Sequence, residues 1–145
     1  SIDPITMPAV LDRIDHAITA RERLSILSVN IDMLVKAARD PPFHAILEAG
    51  DICLPDGKPL QWMARGLGER IHERVTGVDL VPRLAERAAD RGWPVYLIGS
   101  APGVADRAAA RLANDYPGLK VAGTSSPPLG FERDPAQRAA ILDAL

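Results

Sequence analysis

Short apolar runs alternate along this chain with amphipathic segments that favour helices, and this alternation limits the fold more than any other feature. The plainest run is "WPVYLIG" (93–99), which is apolar throughout and bounded by glycines, as expected of a strand covered on both faces. Similar runs lie at 24–29, 51–55 and 119–123. A helix between two strands provides the crossover that a parallel pair needs. The pattern predicts an α/β fold, with a Rossmann-like parallel sheet flanked by helices.

The intervening segments carry residues that favour helix ends. Asn30 is placed to cap a helix after the first run, and Asp79 to cap another that ends at Gly92. Pro102 is expected in the first turn of the helix that follows "WPVYLIG". The stretch 70–77 is ambiguous, and its interpretation is an extended segment. The predicted helices cover residues 31–40, 41–50, 58–68, 79–92, 102–118 and 135–145.

Composition and charge narrow the class of protein. The 145 residues suit a single domain with its own core, and no apolar run approaches the roughly 18 residues of a membrane span, so we expect a soluble protein. The net charge of −2, without a basic cluster, disfavours nucleic-acid binding. Cys53 is the only cysteine, and its apolar surroundings favour packing over reactivity. The absence of a signal peptide favours a cytoplasmic setting.

Polar and glycine residues follow each predicted strand. In an open parallel sheet, ligands bind beyond the carboxyl ends of the strands, because loops and helix N-termini converge there. Each of these residues also suits a plain structural role in a cap or turn, and taken singly that role is favoured. The candidates for substrate binding or catalysis are Ser28, Asn30, Asp56, Gly57, Arg74, Thr76, Gly77, Asp79, Gly99, Ser100, Gly103, Gly130 and Phe131.

Signatures of the common cofactors are absent from the sequence. The segment "GSAPG" (99–103) has the glycines of a phosphate-binding loop, but it matches neither GxGxxG nor GxxxxGK[ST], which disfavours a nucleotide-dependent oxidoreductase. The histidines lack metal-ligand spacing, and neither CxxC nor Asp-x-Asp occurs. We therefore expect no cofactor and no protein-bound metal. Arg74 is the arginine best placed to pair with an anion.

Taken in order, the motifs resemble those of the WecG/TagA/CpsF glycosyltransferases, glycosyltransferase family 26. The resemblance covers essentially the whole chain, and the opening "IDPITMPAVLDRI" (2–14) is similar to the family's N-terminal strand and helix. The matching motifs are "SVN" (28–30), "DPPF" (40–43), "PDG" (55–57), "ERVTGVDL" (73–80), "VYLIGSAPGVA" (95–105), "YPGLKVAG" (116–123) and "SPPLGFE" (126–132).

The resemblance implies a bacterial enzyme that moves a hexose, of N-acetylmannosamine type or related, from a UDP-sugar to a polyprenyl-diphosphate-linked saccharide. Such enzymes build surface polysaccharides. The resemblance also implies inversion at the anomeric carbon, no required metal, and Asp56 as the catalytic base. Ser28 and Asn30 match the hydroxyl residue and the asparagine of the preceding motif, where many members carry threonine in the first position, and both are expected to orient hydroxyls of the acceptor. An inverting transfer needs one carboxylate to take the proton of the acceptor hydroxyl.

The family continues past the last helix with a strand, a "PkQE"-like motif and a basic tail, none of which occurs in residues 1–145. We expect peripheral contact with the inner face of the cell membrane only through that missing part. A homo-oligomer is left open, because apolar helix faces can pack against another subunit. The alternative function is a non-enzymatic, receiver-like signalling module with Asp56 as phosphoacceptor. Against that alternative, the first strand lacks the adjacent acidic pair that would hold magnesium.

Overall fold

A computed structural model describes residues 2–66, 68, 73 and 75–144 of the chain. Its strands are β1 (Ile26–Val29), β2 (Ile52–Pro55), β3 (Pro94–Ile98) and β4 (Lys120–Ser125). Its α-helices are α1 (Met7–Ala20), α2 (Ile31–Ala37), α3 (Pro41–Glu48), α4 (Lys58–Gly66), α5 (Gly77–Arg91), α6 (Val104–Asp115) and α7 (Pro135–Ala144), and a 3-10 turn covers Phe131–Arg133. Among the helices described, none is long and apolar enough to cross a membrane.

The chain divides into two compact units, one ending at Val81 and the next beginning at Pro82. The division falls inside α5, at a proline that has no N–H for the helical hydrogen bond. Each unit holds one pair of parallel strands, β1 with β2 in the first and β3 with β4 in the second. The predicted α/β class is therefore confirmed. A single Rossmann-like sheet within one domain remains a prediction.

The first unit packs α2 and α3 against its strand pair. Val29, Ala37, Leu47 and Cys53 form a buried cluster. The Cys53 thiol donates to the Leu47 carbonyl oxygen at 3.4 Å, and burial raises the pKa of this thiol. Packing is thus the role of Cys53, as its apolar neighbours in the sequence predict.

The second unit has a smaller cluster of Ala85, Ala88 and Leu119 under its strand pair. The register of β3 and β4 shifts between Val95 and Tyr96, so that Tyr96 lies opposite Gly123. A Cβ added at Gly123 would lie 2.6 Å from the Tyr96 ring. Glycine is needed here because the aromatic ring covers the backbone of β4.

The N-terminal strand implied by the family resemblance does not form in residues 2–6. Instead, the backbone N–H of Asp3 donates to the Cys53 carbonyl oxygen at 3.0 Å, and the Asp3 carboxylate accepts from the Cys53 N–H at 2.8 Å. Pro4 has no N–H with which to continue a ladder beyond this pairing. The edge of β2 is therefore covered by one residue rather than by a strand.

Two helix starts also differ from the sequence prediction. Helix α5 begins at Gly77, and helix α6 begins at Val104. Pro102 accordingly lies in the turn before α6, where the Val104 N–H donates to the Ala101 carbonyl oxygen at 3.1 Å. Half of the ambiguous stretch 70–77, namely 70–72 and Arg74, lies outside the described residues.

Candidate functional site

The carboxyl ends of β1 and β2 bring two of the predicted catalytic residues together. The parallel register pairs Ser28 with Leu54 and Val29 with Pro55, so the two strands end side by side. The backbone N–H of Asp56 donates to the Val29 carbonyl oxygen at 2.8 Å, which fixes the residue that follows β2. The Ser28 hydroxyl then donates to Asp56 Oδ2 at 3.2 Å.

The start of α5 completes this group. The backbone N–H of Gly77 donates to Ser28 Oγ at 3.3 Å, although the two residues are 49 positions apart in the sequence. Ser28, Asp56 and Gly77 are all half-buried. These three residues come from a strand, a loop after a strand and a helix N-terminus, all within the first unit.

Thr76 and Asp79 hold the N-terminus of α5. The Thr76 hydroxyl accepts from the Asp79 N–H at 3.2 Å and donates to Asp79 Oδ2 at 2.7 Å. Thr76 is 3% exposed, and its carbonyl oxygen accepts from the Leu80 N–H at 2.9 Å. Thr76 is therefore the capping residue. The prediction that Asp79 caps this helix is wrong, because a threonine three residues earlier takes that position.

Asn30 caps α2, as the sequence predicts. Its Oδ1 accepts from the Met33 N–H at 3.0 Å, and the side chain is exposed at the end of β1. Gly57 follows Asp56 in a turn with φ of +100°. Both residues thus have the structural role that their type favours, and substrate contact by either one stays a prediction.

A different kind of surface lies at the carboxyl ends of β3 and β4 in the second unit. Gly99, Ser100 and Gly103 all have positive φ, and Gly103 directly precedes α6. Ser100 is one of the two non-glycine residues with positive φ in the described part of the chain, at +69°. Backbone of this kind costs energy unless the fold imposes it, and it is concentrated at functional sites.

This backbone borders a cleft of about 760 Å³. The Ser126 hydroxyl lies 3.4 Å from the Gly99 carbonyl oxygen and 3.5 Å from that of Ala101, so its one proton is shared between two carbonyl groups of the loop after β3. The cleft is lined by Ile98, Gly99, Ser100, Ala101, Pro102, Ser126, Pro127, Pro128, Leu129, Gly130, Phe131 and Glu132.

The sequence prediction named Gly130 and Phe131 as candidates at this edge and did not name Ile98 or Ser126. Ile98 ends β3, and Ser126 directly follows the end of β4. The strand-end rule would have selected Ser126 if β4 had been predicted to run on to Ser125. Ile98 lies within the predicted run 93–99 and has no polar group that would have singled it out.

Two further predictions concern Arg74 and a protein-bound metal. Arg74 lies outside the described residues. Within the described part of the chain, no three histidine, cysteine, aspartate or glutamate side chains form a group that could hold a metal ion.

Polar groups gathered at the carboxyl ends of parallel strands are typical of ligand-binding α/β enzymes. The family model described as "Glycosyl transferase WecG/TagA/CpsF family" matches residues 1–145, and the chain belongs to that family. The resemblance carried by the motifs is therefore confirmed.

Two relatives from Bacillus are similar to this chain. The one from Bacillus spizizenii strain W23 is 28% identical over 115 residues, which cover 79% of this chain and 45% of the relative. The one from Bacillus subtilis strain 168 is 26% identical over 119 residues, which cover 82% of this chain and 45% of the relative. Both are named N-acetylglucosaminyldiphosphoundecaprenol N-acetyl-β-D-mannosaminyltransferase. The chain thus spans about half the length of the curated relatives that it matches.

Proposed function

We propose that this chain forms the part of a glycosyltransferase that carries the catalytic base. The enzyme would move a hexose, of N-acetylmannosamine type or related, from a UDP-sugar to a polyprenyl-diphosphate-linked saccharide. The proposed process is the synthesis of a bacterial surface polysaccharide. Membership of the family and the names of the two Bacillus relatives support the class of reaction. The observation that carries the proposal is the half-buried Asp56 carboxylate, held by the Ser28 hydroxyl beyond the end of β2.

In the proposed step, a hydroxyl oxygen of the acceptor attacks the anomeric carbon of the donor sugar and forms the new glycosidic bond. The bond from that carbon to the diphosphate oxygen breaks, and its electron pair leaves with UDP. The Asp56 carboxylate takes the proton of the attacking hydroxyl and later releases it to solvent. Attack from the face opposite the leaving group inverts the anomeric centre.

Asn30 has one side of its amide available for such a role. The cap of α2 uses Oδ1, and an asparagine amide also carries two N–H donors on Nδ2. We assign Nδ2 to a hydroxyl of the acceptor. The exposed position of Asn30, directly after β1, supports this assignment.

For the second unit by itself, we assign binding of an anion such as a diphosphate to the loop of Gly99, Ser100 and Gly103, and substrate contact by Gly130 and Phe131 stays a prediction. The Gly99 N–H donates to the Ser125 carbonyl oxygen at 2.8 Å and does not face an anion. Positive φ at Ser100 and Gly103, and the dipole at the N-terminus of α6, support anion binding by the rest of this loop. Arg74 stays a predicted anion partner. Because the sequence has no Asp-x-Asp motif to hold a divalent ion on a diphosphate, we propose a metal-independent reaction.

The N-terminus of α5 is already engaged by groups of the chain itself. The Gly77 N–H already donates to Ser28, and the Asp79 carboxylate already lies at this end of the helix. A second anion there would meet a like charge. Direct substrate contact by Thr76, Gly77 and Asp79 stays a prediction.

The test uses the full natural protein that contains this chain. UDP binding is measured by calorimetry in chelator, and transfer is measured with a UDP-sugar and a lipid-diphosphate-linked acceptor. We expect saturable UDP binding without metal. Asp56→Asn should lower kcat by about 10²- to 10⁴-fold with an unchanged Kd for UDP, because a lost general base costs that much.

Asp51→Asn is the matched control for this substitution. Asp51 precedes the same strand at its opposite end, where its carboxylate accepts from the Ser25 N–H at 2.7 Å. The control should keep the wild-type kcat. Wild-type turnover in Asp56→Asn would exclude Asp56 as the base. Magnesium-dependent labelling of Asp56 by acetyl phosphate, without UDP binding, would overturn the transferase proposal in favour of a receiver.

A further inference from the structure

The Ser28 hydroxyl lies between two groups of opposite hydrogen-bonding character. Gly77 N is 3.3 Å away, and Asp56 Oδ2 is 3.2 Å away. A serine hydroxyl has one proton to donate and two lone pairs to accept with. A backbone N–H can only donate, and an ionised carboxylate can only accept. The proton of Ser28 is therefore directed at Asp56.

The position of Gly77 fixes the direction in which the Ser28 hydroxyl donates its proton. Gly77 is the first residue of α5, and the first N–H groups of a helix have no partner inside it. The Gly77 N–H gains its partner from Ser28, and the helix start is itself held by the buried Thr76 cap. The donor that orients the Ser28 hydroxyl thus belongs to a fixed element rather than to a mobile side chain.

Resting on the proposed function, we infer that Ser28 is a positioning residue for Asp56 and does not bind the acceptor. Its hydroxyl holds Oδ2 of the carboxylate, so that Oδ1 is the oxygen presented to the acceptor proton. This differs from the role expected from the motif alone, in which Ser28 and Asn30 both orient acceptor hydroxyls. A base held within hydrogen-bond reach of its proton is what general base catalysis needs.

Ser28→Thr and Ser28→Val test this inference, because threonine and valine have nearly the same shape and differ in one hydroxyl. Both are β-branched and suit a strand. In the full natural protein, Ser28→Thr should keep kcat within about threefold of wild type. Ser28→Val should lower kcat by about 10- to 100-fold, the range expected for losing a hydrogen bond to a charged group. KM for donor and acceptor should change less than about twofold in both variants.

Three results would overturn the inference. A raised KM for the acceptor with normal kcat in Ser28→Val would show that Ser28 binds the acceptor. Equal kcat in the threonine and valine variants would show that the hydroxyl is not needed. Thermal unfolding checks that both variants fold. If the Ser28→Val protein does not fold, Ser28→Ala replaces it. A normal kcat in Ser28→Ala is the third result that would contradict the inference.

Asp56→Asn separates this inference from the proposed function. If Asp56→Asn is inactive while Ser28→Val matches Ser28→Thr, only the positioning role of Ser28 fails. If Asp56→Asn retains wild-type turnover, the proposed base fails, whatever Ser28 does.

Discussion

The two strand pairs of this protein end in different chemistry. At the ends of β1 and β2, side chains bond to one another, and the Ser28 hydroxyl links a carboxylate to a helix N-terminus. At the ends of β3 and β4, the shape of the surface comes from backbone, with positive φ at Gly99, Ser100 and Gly103. The first edge has a group that can take a proton, whereas the second has a cleft and backbone N–H groups that suit binding.

This contrast says which kind of substitution each edge tolerates. The first edge should depend on the polar atoms of its side chains and tolerate small changes of backbone preference. The second edge should depend on glycine and tolerate the loss of a hydroxyl. The first two of the following predictions test this contrast, and the last tests the start of α7. All are read from stability alone, so none of them depends on the proposed reaction.

The largest effect is expected from Gly123→Ala in the second unit. The new Cβ would lie 2.6 Å from Tyr96 Cε2, and moving the ring would break the bond from the Tyr96 hydroxyl to the Thr124 carbonyl oxygen at 3.3 Å. Overpacking of this kind costs about 1–3 kcal/mol. Urea unfolding measures the change in free energy. In a Tyr96→Ala background the same substitution should cost little, and an equal cost in both backgrounds would disprove the clash.

A matched pair of glycine variants comes next. Gly99→Ala places a side chain at φ of +114° in open space, so its cost is conformational alone, about 1–2 kcal/mol. Gly77→Ala adds a Cβ 3.6 Å from Ser28, which is ordinary contact, and keeps the N–H that Ser28 needs. Its stability should change by less than about 0.5 kcal/mol. If thermal unfolding showed Gly77→Ala to be the costlier of the two, the contrast between the edges would be wrong.

The smallest effect concerns Asp134, which lies at the N-terminus of α7, away from either edge. Hydrogen bonds from the Gln137 backbone and side chain, and then from the Ala136 backbone, hold the pKa of this carboxyl below its ordinary value of 3.8. A pKa that is lower in the folded state gives stability that is fully present above the ordinary pKa and is lost as pH falls through the folded pKa.

The stability difference between wild type and Asp134→Asn should therefore be constant above about pH 5 and shrink below pH 4, as a carboxylate with a lowered pKa requires. Thermal unfolding of both proteins from pH 2 to 7 measures it. A difference that stays constant down to pH 2 would mean that the Asp134 carboxylate does not stabilise α7.

Much of the fold follows from local sequence. The run 93–99 contains β3, and the apolar run 51–55 contains β2, because short apolar segments bounded by turn residues have few alternatives to a buried strand. Asn30 was predictable as the cap of α2 for the same local reason. The end of β4 was not predictable, because "TS" at 124–125 is equally typical of a loop. Pairing of Ser125 with Ile98 is what extends β4 to this point.

The start of α5 shows where local reasoning chose the wrong residue. Both Thr76 and Asp79 favour helix caps, and residue type alone ranks aspartate above threonine. Burial decides between them, since Thr76 is 3% exposed while Asp79 is exposed and bonds back to the threonine. The choice moved the helix start by two residues, and so placed the Gly77 N–H, rather than Asp79, against Ser28.

By itself, the sequence determined the residue types available for chemistry, the α/β class and the family. These properties depend on local patterns and on the order of the motifs along the chain. Only the tertiary structure decided which polar groups meet. Ser28 and Asp56 are 28 positions apart, and Ser28 and Gly77 are 49 apart. Parallel pairing of β1 with β2 and the capped start of α5 bring all three within hydrogen-bond distance, and such long-range contacts depend on packing that no local pattern encodes.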